Sequence, residues 1–299
     1  MNILVGKTFG LGNAVMCVPM LKTLKSMGHR VDVMVGSLPD DCGAFAVMEC
    51  LRDSGVIDNL FINRAGEIIY DVAIMAIPFD GRWRNTEHFK AIKVMDGRTR
   101  PDPTTEGLVS WEKHEIEYQM DNARDLGYEG PTPDCSFHAV DKKTRDIYFG
   151  VGYKKDDAGF WKKKHWGNEK FSQLATRILK EKRGFRIRST GDIMDWHLSL
   201  QPIMRGIHRD VQARFVPEIT DISQAFYEIS TCRLYVGNDT GMMHVAASMG
   251  IPCVAVFPFG RKSSTKNGPW GTHGHHCYDG EETTVSQMFR AVNDVLGWK

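Results

Sequence analysis

The strongest constraint in this 299-residue chain is an alternation, carried through twice, of short apolar runs with longer stretches of helical period. Strand-length runs at 3–5, 31–35, 59–62 and 70–76 are separated by helical patterns at 14–27 and 44–54. Strand and helix patterns that alternate in this way predict a parallel sheet with crossover helices. The segment 86–107 is polar and broken by Pro101 and Pro103, and reads as an exposed loop before a helix over 111–126. Residues 131–143 are rich in Pro, Asp and Lys with little apolar periodicity, which marks a domain boundary. The alternation then restarts. Strands are expected at 147–151, 185–188, 213–216, 233–236 and 253–257, the last strand of this reading. Helices are expected at 169–182, 198–206, 222–230, 240–249 and 285–296. The fold class is therefore α/β, with two Rossmann-like domains and mainly parallel sheets, over 1–140 and 141–299.

Charge separates partner classes. Lys+Arg number 38 and Asp+Glu 37, a net of +1, which weighs against a surface built to track nucleic acid or anionic lipid. The seven cysteines are odd in number and form no C-x-x-C pair, the pattern of reduced, buried thiols in a cytoplasmic protein. No apolar run approaches the roughly 20 residues of a membrane span, so any membrane contact is expected to be peripheral. Oligomeric state is not legible.

The most informative stretch is Leu234-Tyr235-Val236-Gly237-Asn238-Asp239-Thr240-Gly241-Met242-Met243-His244, followed by Val245-Ala246-Ala247-Ser248-Met249-Gly250-Ile251-Pro252. An apolar strand runs into a tight turn, and a helix starts within a few residues. Asp239 is a natural N-cap, and Thr240 and Gly241 carry the first backbone N–H groups, which suit a diphosphate. Gly241 lets a ligand approach the main chain. The alternative is a plain capped connection in which Asp239 only caps; His244 alone reads as a packing histidine more readily than a catalytic one.

This segment strongly resembles the D-T-G-x-x-H-x-A-A-x-x-x-x-P signature of the heptosyltransferases of glycosyltransferase family 9. Two further stretches match in order. MNILVGKTFGLGNAVMCVPMLKTLK is similar to the family's opening strand, glycine loop and helix, and Lys164-His165-Trp166 with Phe171 looks like its donor loop. The resemblance implies a GT-B fold with an interdomain cleft, an N-terminal domain for the acceptor and a C-terminal domain for a nucleotide-sugar donor. It implies inverting, metal-independent transfer of a sugar to a hydroxyl of a glycan or other acceptor, with ADP-heptose as donor and a lipopolysaccharide-type acceptor. A modified nucleobase in DNA is disfavoured by the near-neutral charge. No cofactor is expected. Lys164, Asp239, Thr240, Gly241 and His244 would serve the donor, with Lys164 on the diphosphate; Lys7, Thr8 and Gly12 would contact acceptor or phosphate.

The sequence departs from the family at one position. Where the family's N-terminal loop ends in Gly-Asp, with that Asp as its proposed base, this chain has Gly12-Asn13. An amide cannot take up the acceptor's proton at neutral pH. Asn13 is left to orient the hydroxyl, while Asp80, and less well His88, are candidates for the base. The alternatives are a nucleotide-sugar epimerase or hydrolase of the same fold, or a non-catalytic donor-binding protein.

Three other features have two readings each. His273, His275, His276 and Cys277 do not match a tetrahedral metal set and are read as a polar loop rimming the donor site, with no metal. The segment 259–264 follows the 253–257 strand and contacts the nucleotide or is plain surface loop. Arg82, Trp83 and Arg84 form an aromatic-basic cluster suited to a sugar or phosphate, or a loop anchored by its tryptophan.

Overall fold

The computed structural model describes residues 1–6, 10–36, 42–75, 88–96, 113–137, 144–152, 164–258, 263–271 and 274–297. The chain forms two compact units, Met1–His138 and Ala139–Lys299.

Unit 1 holds a five-stranded parallel sheet. Its strands are β1 (Asn2–Gly6), β2 (Arg30–Val35), β3 (Asn59–Ile62), β4 (Ile69–Met75) and β5 (Lys90–Asp96), in the spatial order β3-β2-β1-β4-β5. Helix α1 (Leu11–Ser26) starts at Gly10, whose φ of 80° places it in the left-handed region that glycine adopts without strain. Ala14 to Leu21 are all buried, so α1 is apolar almost all round. It can be, because it packs against β2 and against the helices α2 (Cys42–Asp53) and α3 (Glu115–Arg124). A second core layer, including Leu4, Met34, Tyr70, Ala73 and Phe89, covers another part of the sheet.

The expectation of a loop through 86–107 is corrected by β5. Its sequence, KAIKVMD, places two lysines and an aspartate among its apolar residues, and Ile92 remains 78% exposed. Such an edge strand carries little burial signal, which is why periodicity passes over it.

Among the described residues, unit 2 has six parallel strands: β6 (Ile147–Gly150), β7 (Ile187–Gly191), β8 (Phe215–Ile219), β9 (Leu234–Asn238), β10 (Cys253–Phe257) and β11 (His276–Asp279). Their order is β11-β10-β9-β6-β7-β8, so the chain winds outward from β6 in one direction and from β9 in the other. That is the Rossmann arrangement. Helices α4 (Asn168–Glu181), α6 (Gln201–Gly206) and α11 (Val285–Leu296) bury one core through Phe171, Leu174, Ile178, Ile203 and Phe289, against Phe149, Val236 and Val256 of the strands. Helix α8 (Ile222–Thr231) packs beside α9 (Gly241–Ser248), which lies on β9 and β10. After β7 the chain makes the short helix α5 (Ile193–Asp195) and a π-helical turn, Trp196–Leu200; α7 (Arg209–Gln212) and α10 (Ser263–Asn267) complete the set.

The strand over 253–257 is not the last. β11 extends the sheet by one edge, parallel to β10 with Cys277 opposite Ala255. Its four residues HCYD are half-buried and polar, and too short to show a period. No helix among the described residues is long and apolar enough to cross a membrane.

Candidate functional site: the switch point of the second sheet

In an open α/β sheet, ligands bind beyond the carboxyl ends of the strands where the winding reverses. In unit 2 that point lies between β6 and β9, which pair with Gly150 opposite Gly237. Four of the residues read from the sequence for the donor, Asp239, Thr240, Gly241 and His244, follow β9 directly, and Lys164 is brought to them from a distant part of the chain.

The device that brings it is Asn238. This residue is fully buried, and its side chain is used in both directions. Its Oδ1 accepts from the Trp166 amide at 3.0 Å, while Nδ2 donates to the carbonyls of Val151 at 3.2 Å and Gly152 at 3.5 Å. A buried carboxamide is tolerated when it is satisfied in this way. The consequence is that the two ends of the connection from β6 to α4 are tied to the end of β9. Trp166 is locked further: its Nε1 donates to Thr283 O at 2.9 Å, and its ring meets Phe171 edge-on at 5.1 Å. Lys170 donates to Glu281 O at 2.7 Å and lies 5.6 Å over the Trp166 ring.

With its backbone held there, Lys164 places Nζ 2.5 Å from Asp239 Oδ2. Their side chains are 20% and 8% exposed, so the pair is mostly removed from water. The expectation that Asp239 caps the helix is corrected. Thr240 is the N-cap of α9, and Asp239 instead takes the lysine. Nor does Thr240 cap with its side chain: its hydroxyl lies 3.0 Å from Tyr235 Oη. Gly241 is the first residue of the helix. His244 is 3% exposed and faces the interior of the unit.

The two units differ in net charge. Unit 1 contains 14 Lys+Arg against 20 Asp+Glu, a net of −6, whereas unit 2 contains 24 against 17, a net of +7. The near-zero total conceals an asymmetry that favours an anionic ligand on unit 2.

Asp195 also belongs to the neighbourhood and was not singled out from the sequence. It accepts at the capping box of α5, and a Cβ added to Gly152 would stand 3.1 Å from its Oδ1. The available signal was an acidic pair just after the second strand of a Rossmann-like unit, where such folds hold a ribose. Asn238 and Tyr235 were missed because their roles depend on partners about 70 and 85 positions away, or on a bond that no period reveals.

In unit 1, Gly12 and Asn13 occupy the first turn of α1, with Asn13 Nδ2 3.3 Å from where a Cβ on Gly10 would lie. Lys7, Thr8, Asp80, Arg82, Trp83 and Arg84 lie outside the described residues, as does His273. His88 is described; its carbonyl accepts from Ala65 N at 2.9 Å. The reading of the histidine loop as a rim of the donor site is corrected for His275 and His276. Both lie at the amino end of β11, and His275 Nδ1 accepts from Cys253 N at 3.1 Å, at the opposite end of the parallel strands from Asp239. Of 259–264, only Ser264 has a described side chain; its hydroxyl and amide bond Asp279 at 2.5 and 3.0 Å.

Residues 118–293 match the sequence pattern of glycosyltransferase family 9 (heptosyltransferase). The chain belongs to that family. Lipopolysaccharide heptosyltransferase 2 of Escherichia coli (strain K12) is 31% identical over 102 residues, which are 33% of this chain and 28% of the relative. The sequence match thus spans under a third of that protein's length. The fold is shared throughout. The structure of the E. coli ADP-heptose lps heptosyltransferase II superposes with a TM-score of 0.74 at 18% identity, covering 99% of this family member and 98% of that chain. E. coli heptosyltransferase WaaC with ADP gives 0.75 at 15% identity, covering 99% and 100%. The architecture of this glycosyltransferase family member is GT-B.

Proposed function

We propose that the protein is an inverting glycosyltransferase whose second unit binds a nucleotide diphosphate sugar, with ADP-heptose the first candidate donor and a hydroxyl of a lipopolysaccharide-type glycan the acceptor. The observation that carries this reading is the Lys164–Asp239 pair at the start of α9. Departure of a nucleoside diphosphate develops negative charge on the β-phosphate. A lysine and the amino end of a helix stabilise that charge without a divalent ion. Lys164 is held by a carboxylate before the ligand arrives, so little conformational freedom is lost when it turns to the phosphate. Asp192 and Asp195, following β7, are the candidates to accept from ribose hydroxyls. The first unit is assigned to the acceptor, with Lys7, Thr8, Gly12 and Asn13 contributing and Asp80 as the candidate base.

One observation favours a second reading. Asn13 cannot act as a base, so a protein that binds the donor without transferring it fits the same residues.

The test is calorimetry with ADP, UDP, GDP and CDP, repeated with Lys164→Ala, followed by incubation of the matching nucleotide sugar with and without acceptor. Selective binding that weakens in the variant, with acceptor-dependent release of diphosphate, supports transfer. Turnover without acceptor points to an epimerase or hydrolase, and binding without turnover to the second reading. No binding at millimolar concentration removes the donor site.

A further inference from the structure

Tyr235 is fully buried on β9, and its ring stacks on Tyr148 with centroids 5.9 Å apart. Two glycines open the slot it occupies. A Cβ on Gly150 would lie 2.0 Å from Tyr235 Oη, and one on Gly237 would lie 2.3 Å from Gly150 O and 2.8 Å from Tyr235 Oη, so an alanine at the first position would displace the phenol and one at the second would meet both the Gly150 carbonyl and the phenol. The two glycines face each other in register across β6 and β9, at the switch point. Through this slot the phenol reaches past the end of the strand. Its Oη lies 3.0 Å from Thr240 Oγ1, 3.3 Å from Asn238 O and 3.5 Å from Gly150 O. Tyr235 has one proton to give. If it goes to Asn238 O, the phenol oxygen is left to accept from Thr240.

Thr240 has the extended backbone of an N-cap, at φ −137° and ψ 165°. From that position a threonine ordinarily turns its oxygen onto the second or third amide of the helix. Here no such bond is made. The hydroxyl is drawn toward the sheet instead; the Met243 amide already donates to Thr240 O at 3.1 Å, and the earlier amides of the first turn are those of Gly241 and Met242.

We propose that Tyr235 is a positioning residue that keeps Thr240 from capping α9, so that the amides of Gly241 and Met242 remain available to the donor diphosphate. The inference rests on the reading of this turn as the diphosphate site. With the Met243 amide already bonded to Thr240 O, the hydroxyl of Thr240 and the phosphate oxygens compete for the Met242 N–H, and Tyr235 decides the competition in favour of the ligand. A helix end is thereby kept under-capped in the empty protein.

The experiment is a double-mutant cycle with Tyr235→Phe and Thr240→Ala, read by ADP calorimetry and by thermal unfolding without ligand. Tyr235→Phe is expected to weaken ADP about fivefold, the factor corresponding to an average threonine cap. In the Thr240→Ala background the same change is expected to leave ADP affinity unaltered, because no hydroxyl remains to compete. In the unfolding arm, Thr240→Ala should lower Tm more in the Tyr235→Phe background than in the wild type, because only there does Thr240 cap the helix. An equal loss of affinity in both backgrounds, or no loss in a protein whose ADP binding depends on Lys164, overturns the proposal. Equal Tm changes in both backgrounds overturn it without reference to any ligand. If the wild type shows no Lys164-dependent ADP binding, the donor-site reading fails first, and the unfolding arm still decides whether Tyr235 withholds the cap.

Discussion

Lys164 Nζ and Asp239 Oδ2 stand 2.5 Å apart although 75 positions separate them in sequence. The pair is a charge held in reserve at a site suited to an anion, and each member alone is a liability there. Lys164→Ala leaves the Asp239 carboxylate facing the diphosphate with nothing to offset it. ADP affinity is expected to fall by about tenfold or more, since charge-assisted contacts contribute ~1.5–3 kcal/mol. Adding Asp239→Asn should recover part of that loss. Calorimetry on both variants checks it; a double variant no better than the single one would show that the carboxylate does not reach the ligand.

Asn13 sits in the first turn of α1, a turn that contains no acidic residue. Asn13→Asp places a carboxylate near the positive end of that helix dipole, and should stabilise the protein by ~0.3–1 kcal/mol. If a base is the missing element, the same variant should also raise acceptor-dependent transfer. Urea unfolding and initial rates separate the effects: stabilisation without faster transfer means that proton removal is not limiting at this position.

Arg214 closes the far end of α4. Its guanidinium donates to the carbonyls of Leu179, Lys182, Arg183 and Phe185, the last three at 2.9, 3.1 and 3.2 Å. Leu179 is among the last carbonyls of α4, which a helix end leaves without partners, and the other three acceptors belong to its C-cap and the turn that follows. Arg214→Ala should cost about 1–3 kcal/mol of stability in denaturant unfolding and leave ADP affinity unchanged, because the residue precedes β8, at the amino ends of the parallel strands, whereas the donor turn lies at their carboxyl ends. A change of affinity at constant stability would contradict this placement.

Burial pushes the Asp134 carboxyl upward, but hydrogen bonds from Lys22 and Ser136 outweigh it and bring the group down from 3.8 to about 2. A carboxyl depressed on folding contributes stability above its unfolded value, and that contribution disappears as pH falls from about 4 toward 2. The Asp134 side chain is 68% exposed, so solvent screening keeps the contribution below about 1 kcal/mol. Lys22→Met should therefore reduce stability slightly at pH 7 and flatten its decline below pH 4. Unfolding curves between pH 2 and 7 give the comparison; parallel pH profiles would show that the contact is not maintained in solution.

The sequence by itself determined the alternation of strands and helices, and so the parallel sheets, because a buried strand or an amphipathic helix writes its burial pattern into neighbouring positions. It also determined the strand–turn–helix at 234–252, since Gly241 and the small residues after it are local requirements. Edge strands were another matter. β5 and β11 are exposed or half-buried, and no periodic burial marks them. The same limit hid the working parts of the site. Asp239 reads locally as a cap, and only the folded chain, by tying Trp166 to Asn238, brings Lys164 to claim it. Thr240 reads as a phosphate contact, and only the slot left by Gly150 and Gly237 lets Tyr235 reach its hydroxyl. Side-chain pairings across the sheet depend on which strands become neighbours, and that is decided by the packing of the whole unit rather than by any stretch of it.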